Sequence, residues 1–173
     1  MKLNRLFIVL AIAAGSLTLN SCSKSSSTTT SNLYMTADID GTATTFNTHA
    51  IALTGTSNGE SFTSITGTAK DGTTLSITIM GTVTAGKTYS DASANNNDKP
   101  LFLYVPPGSN ADTYLNDDDN VSALPSITVS SVSSGSISGT FKGLVEGGIP
   151  IGNNNTLPTK TITNGKFSLS FTR

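Results

Sequence analysis

The chain contains no tryptophan, one histidine (His49) and one cysteine (Cys22). A single cysteine cannot form an internal disulfide, so the fold must rest on its apolar core. One His and one Cys are too few for a nitrogen and sulfur zinc site. A Ser-His-Asp arrangement would have to use His49, and no Gly-x-Ser-x-Gly nucleophile elbow is expected in the chain. A surface or strand histidine is the plainer reading. Glutamate is scarce too. Glu60 and Glu146 are the only two, and both fall in predicted turns or loop starts. Paired acids for glycoside cleavage are therefore poorly served. Charged residues make up only 12% of the chain. No apolar run is long enough to cross a bilayer as a helix. No apolar stripe of period 3.6 is present, which argues against long helices.

The amino terminus is strongly patterned. Met1-Lys2-Leu3-Asn4-Arg5 supplies two positive charges, and Leu6 to Ala14 is continuously apolar. Small residues follow, ending in Leu19-Asn20-Ser21-Cys22. A basic start, a short apolar middle and a small-residue cleavage site make a secretory signal. The ending on Leu-x-Ser-Cys resembles the lipobox of bacterial lipoproteins, although Asn20 is not the favoured residue at its position. The resemblance implies cleavage before Cys22 and lipid on its sulfur and new amino group. Several acyl chains on one residue anchor firmly where one alone is marginal. The alternative is an ordinary exported protein with a free thiol. Residues 1–21 are thus expected to be removed, and residues 22–32 to be the lipidated cysteine and a tether. The run Ser23-Lys24-Ser25-Ser26-Ser27-Thr28-Thr29-Thr30-Ser31-Asn32 buries nothing, and ten such residues span about 18 Å.

Cleavage leaves 152 residues with 8 basic and 11 acidic side chains. That length suits one domain with a real core, expected over residues 33–173. No basic patch is available for phosphates, so nucleic acid is not an expected partner. Polarity comes instead from hydroxyls, with 52 serines and threonines in the full chain. Such a composition fits strands that have one buried and one wet face.

The alternation reads as about ten short strands. Asp40-Gly41 predicts a two-residue hairpin pairing Ile39 with Thr42, Ala37 with Thr44 and Met35 with Phe46. His49, Ile51 and Leu53 define one face of a third strand, which Ser57-Asn58-Gly59 turns. A three-residue loop at Lys70-Asp71-Gly72 pairs Ile65 with Ile77 and Gly67 with Leu75, with Gly72 at positive φ. Leu101 to Val105, between prolines, reads as a short buried strand. Residues 91–99, 110–120 and 146–158 read as loops. Ile127, Val129 and, after a gap, Val132 form a strand that turns at Ser133-Ser134-Gly135. Ile137, Gly139, Phe141 and Gly143 share one face of the next. Asn164-Gly165 predicts a last hairpin pairing Ile162 with Phe167. Short strands at this spacing suggest an all-β fold, an antiparallel β-sandwich or barrel.

Several of these stretches are similar to a family of uncharacterised Bacteroidetes envelope lipoproteins. They are Asp40-Gly41 with Phe46, Ala85-Gly86-Lys87-Thr88-Tyr89, Ile137-Ser138-Gly139-Thr140-Phe141, and Ile162-Thr163-Asn164-Gly165-Lys166-Phe167. The resemblance covers residues 33–173 and rests on turns and core positions. It implies an antiparallel β-sandwich in an outer-membrane lipoprotein and brings no catalytic residues. By similarity to other Gram-negative lipoproteins, Ser23 in place of an aspartate after Cys22 favours the outer membrane. The lack of acidic residues in that stretch favours its periplasmic face over the cell surface.

Few residues are candidates for chemistry. Asp117, Asp118 and Asp119 could offer oxygens to calcium, but no glycine and closing glutamate follow in the spacing of a calcium loop. A solvated acidic loop is the bland alternative. Tyr104 and Tyr114 are candidate platforms for a sugar, or core-edge tyrosines. The expectation is a non-enzymatic, membrane-anchored monomer with a binding, adhesion or assembly role. It needs no cofactor beyond the lipid on Cys22 and, if the aspartates bind it, calcium. The alternative is a glycan-binding or weakly hydrolytic accessory module acting through the 91–99 and 110–120 loops.

Overall fold

Left-handed turn residues set the hairpins of this protein, seen in a computed structural model. The structure describes residues 33–93, 95, 98–108, 113–116, 123–147 and 157–172. Within the unit Leu33–Arg173 most of these residues are strand. Asp40 and Gly41 both have positive φ, 49° and 79°. They join β1 (Tyr34–Ile39) to β2 (Thr42–Thr45) in the expected register, Ile39 opposite Thr42 and Ala37 opposite Thr44. The Phe46 N–H donates to the Met35 carbonyl at 2.8 Å, and both side chains are fully buried. Asn58 and Gly59, at φ 52° and 83°, likewise turn β3 (Ile51–Ser57) into β4 (Glu60–Thr68).

Between β4 and β5 (Thr74–Met80) the three-residue loop holds, with Gly72 at φ 94°. Ile65 faces Ile77 and Gly67 faces Leu75. A turn at Gly86 leads to β6 (Thr88–Ser90), followed by β7 (Leu101–Val105) and β8 (Tyr114–Asn116). β9 (Ser126–Val132), β10 (Ser136–Gly147) and β11 (Thr159–Thr172) complete the chain. β9 carries one extra residue. Ser138 of β10 faces Ser131, while Gly139 faces Val129, which accounts for the gap before Val132.

Three expectations need correction. The 110–120 and 146–158 segments are not wholly loop, because Tyr114–Asn116 forms β8 and β10 runs on to Gly147. Asn164-Gly165 is not a hairpin, because β11 runs unbroken through it. Asn164 sits at φ 54°, and the registers with β1 and β10 both shift there. It is a β-bulge. Ile162 and Phe167 are an odd number of residues apart, so a regular strand would point them to opposite faces. The bulge re-phases the strand, and both are buried along with Leu169. In β3 the inward residue is Ala52, fully buried opposite Ile65, while Ile51 and Leu53 are half-buried on the outer side.

The strands form one sheet in the order β2-β1-β11-β3-β4-β5-β7-β8-β10-β9-β6, and β10 also pairs with β11. The pairings therefore close a ring, β11-β3-β4-β5-β7-β8-β10 and back to β11. The ribbons β1–β2 and β9–β6 extend from it. The two long strands make this possible. β11 shares one edge between β1 and β3, and β10 shares one between β9 and β8. Every described pairing is antiparallel except β11 with β3, where Phe171 and Thr172 run parallel beside Ala52 and Leu53.

The two halves of the sheet face each other across one apolar core, giving an all-β, sandwich-like fold. Phe102 of β7 meets Phe141 of β10 edge to face at 6.3 Å, and Phe141 meets Phe167 of β11 at 6.3 Å. Gly67 lies so close under Phe46 and Met35 that a Cβ there would come within 2.6 Å of the Phe46 carbonyl oxygen.

Candidate functional site

Tyr104 and Tyr114 close one end of this core. Register places them opposite each other on β7 and β8, with Tyr104 also beside Leu75. Their rings meet edge to face, centroids 5.7 Å apart at 75°. Only 6% and 7% of the two residues is exposed. They are packed into the core edge, and neither offers the open face on which a sugar ring stacks.

Next to them stands an ion pair. Lys160 is opposite the buried Val145 on β10 and so continues the inward row of β11 beyond Ile162. Its Nζ donates to Asp40 Oδ2 at 2.7 Å, and the Thr161 N–H donates to Asp40 Oδ1 at 2.9 Å. Partial burial works to raise the Asp40 carboxyl. The hydrogen bonds from Lys160 and Thr161 and the lysine charge outweigh it and hold the group below the usual carboxylate range. The hydrogen bond to Asp40 raises Lys160 in turn, against the effect of burial. Burial is the main cause that pushes the Tyr104 phenol up, opposed by the charge of Lys160 and helped by Asp40, Asp71 and Tyr114. This end of the molecule thus holds two phenols beside a mutually neutralised ion pair. Such a set can donate and accept hydrogen bonds. It contains no nucleophile with a base in reach.

A second polar cluster roots the 91–99 and 110–120 segments. The side-chain amide of Asn116, the last residue of β8, makes three hydrogen bonds. Its Oδ1 accepts from the Phe102 N–H at 2.7 Å. Its Nδ2 donates to the Pro100 carbonyl at 2.7 Å and to Asp91 Oδ2 at 2.8 Å. Asp91 is 7% exposed, and its own N–H donates to the Pro125 carbonyl. One amide therefore ties the start of the first segment to the end of the second. Lys87 adds a hydrogen-bonded ion pair with Asp98 at 2.5 Å, which raises its pKa. The same ammonium sits 4.9 Å from the centre of the Tyr89 ring, a cation–π distance. The Tyr89 hydroxyl accepts from the Thr84 N–H. Neither Lys87, Lys160 nor Asn116 stood out in the sequence, because each acts through neighbours that only the strand order supplies.

The other candidates are scattered. His49 is exposed in a turn. Against expectation, Gly55-Thr56-Ser57-Asn58-Gly59 carries the Gly-x-Ser-x-Gly letters. Here they form a strand–turn–strand hairpin between β3 and β4. A nucleophile elbow requires a strand, a sharp turn and a helix. Glu60 begins β4 and Glu146 lies near the end of β10, on strands that do not pair. Cys22 and Asp117, Asp118 and Asp119 lie outside the described residues, as does most of 110–120. Among the described residues no three His, Cys, Asp or Glu side chains gather as a metal site. No described helix is long and apolar enough to span a membrane. Comparison with family models, with curated proteins and with solved structures finds no match.

Proposed function

We propose that this protein is a non-enzymatic envelope lipoprotein, held by lipid on Cys22 to the outer membrane and presenting its all-β domain for binding, adhesion or assembly. The observation that carries this reading is the amino-terminal pattern ending in Leu19-Asn20-Ser21-Cys22, followed by the Ser/Thr-rich run at 23–32, which has no apolar residue. The buried polar side-chain atoms among the described residues all have hydrogen-bond partners. Cys22→Ala tests the anchor. The native protein is expected to float with membranes on a density gradient, and the variant is expected in the soluble fraction. An unaltered distribution overturns the reading. Protease treatment of intact cells then separates the two faces of the membrane. Survival of the 33–173 domain until lysis is the result expected of a periplasmic location.

A second reading, as a glycan-binding or weakly hydrolytic accessory module, has one observation in its favour. The Asn116–Asp91 hydrogen bond brings the roots of its two proposed loops together. A glycan array probed with the mature protein tests it, and the absence of any retained saccharide removes it. Calcium at Asp117, Asp118 and Asp119 is tested by melting the protein with calcium and then with chelator. An unchanged midpoint ends that idea.

A further inference from the structure

Leu33 and Tyr34 are the two large apolar side chains left exposed among the described residues, at 44% and 40%. Exposed singly, such a side chain carries no message. These two are adjacent, and they stand where the Ser/Thr-rich run at 23–32 enters the domain. The alternation of β1 buries Met35, Ala37 and Ile39, so Tyr34 lies on the outer face, opposite Ser168. Lys166 is exposed on that same face, one step further along and opposite Thr36. Tyr89, Tyr104 and Tyr114 are all buried, which makes Tyr34 the one exposed tyrosine of the chain's four.

Register shows what shares this end of the domain. β11 runs antiparallel to β1, and near its finish the Phe171 N–H donates to the Gly135 carbonyl in the β9–β10 turn at 3.0 Å. That turn, Ser133-Ser134-Gly135, carries hydroxyls and no charge. β3 runs parallel to the end of β11, so the Ser57–Glu60 turn points the same way, with Glu60 its single acid. Asp40, in the β1–β2 turn, Asp71, in the β4–β5 turn, and Glu146, near the finish of β10, all belong to the opposite end. The strand ends and turns around Leu33 and Tyr34 are therefore poor in acid on a net acidic chain.

We infer that Leu33 and Tyr34 enter the interfacial layer of the lipid surface to which Cys22 is anchored, so that the domain sits on the bilayer by this end. The inference rests on the lipid anchor proposed above. Tyrosine is enriched where membrane meets water, with its ring among the lipids and its hydroxyl in water. A lysine on the same face suits the lipid phosphates. Two side chains alone hold a membrane weakly. The anchor changes that, because a ten-residue tether spans about 18 Å and keeps the lipid at high effective concentration beside the site. A second copy is the poorer occupant, since two side chains fall far short of the roughly 800 Å² that a standard interface takes from each partner.

The chain has no tryptophan, so one introduced residue reports alone. Mature lipidated protein carrying Tyr34→Trp is placed in phosphatidylcholine vesicles. Its emission is expected to lose intensity when the lipid is replaced by brominated phosphatidylcholine. Lys70→Trp, in the β4–β5 turn at the opposite end, is expected to be unaffected. The native chain supplies a measurement that needs no introduced ring. Iodination of Tyr34 by a soluble peroxidase is expected to be several-fold slower on vesicles than in Cys22→Ala protein free in buffer. Equal quenching of both tryptophans, or of neither, in protein that floats with the vesicles overturns the inference and leaves the anchor standing. So does iodination that vesicles do not slow. Protein that does not float overturns the anchor, and this inference with it.

Discussion

Asn116 satisfies three backbone and side-chain partners with one amide, and two of those partners lie in segments far from it in sequence. Asn116→Ala removes all three bonds and leaves the Asp91 carboxylate and the Phe102 N–H short of a partner. Loss of about 2 to 3 kcal/mol is expected, read as a lower urea midpoint with unchanged slope. The Asp40–Lys160 pair is far more exposed, at 44% and 31% of the side chains, and is expected to contribute under about 1 kcal/mol. Its pH dependence has a definite sign. The folded Asp40 titrates below its unfolded value, so its share is present above about pH 4 and fades as pH falls through the lowered folded value. Lys160 is raised, so its share persists below about pH 10 and is lost as pH rises through the raised value. Asp40→Asn keeps a residue tolerant of the left-handed turn and removes the charge. The difference between its urea midpoint and the native one is expected near pH 7 and expected to vanish near pH 2. At this scale the sequence was a partial guide. Tyr104 and Tyr114 were found as a pair of candidates, but their partners Lys160 and Asp40 lie 120 residues apart, and no local pattern joins them.

Among the elements, β11 is the most informative. Asp-Gly and Asn-Gly pairs close true hairpins at residues 40–41 and 58–59, yet Asn164-Gly165 makes a bulge. A hairpin and a bulge both accept a left-handed residue and both re-phase the alternation of inward side chains. From the sequence the two are therefore equivalent at Ile162 and Phe167. What separates them is that a hairpin folds the strand onto itself, while here β1 and β10 occupy both edges of β11. Gly165 shows the tightness of the arrangement. A Cβ there would lie 2.4 Å from both the ring and the carbonyl oxygen of Phe141. Gly165→Ala is expected to cost about 3 kcal/mol or more, whereas Gly135→Ala, with open space around it, is expected to change the midpoint little. Hairpin registers at β1–β2 and β4–β5 were legible because turn residue and core pairing agree locally. The face of β3 was not, since Ala52 is inward only because Ile65 lies opposite, and alternation alone prefers the larger Ile51 and Leu53.

For the whole molecule, the decisive contact is a short one. The ring closes where Phe171 and Thr172 run beside Ala52 and Leu53, helped by the Thr172 hydroxyl donating to the Ala52 carbonyl at 3.3 Å. Removing residues 171–173 is expected to open the ring there. The measurable signs are faster amide exchange in β3 and a stability loss of about 2 to 4 kcal/mol, as Phe171 also packs against the core. The all-β class could be read from composition and alternation. The strand order could not, because β11 joins the first, third and tenth strands. Such pairings are selected by global packing and by loop closure over the length of the chain.

The position of β1 has a mechanical side. It is the first strand after residue 32, yet it is not an edge, for β2 lies on one side and β11 on the other. Tension arriving from a membrane anchor would enter at Tyr34 and act along the strand. Where the opposing pull acts on the far end of the molecule, the bonds with β11 from Tyr34–Ser168 to Ile39–Ile162 share the load in shear. A terminal edge strand would peel away bond by bond. Pulled by its amino terminus, the unit should yield under force only when β1 slides as a whole from between its neighbours.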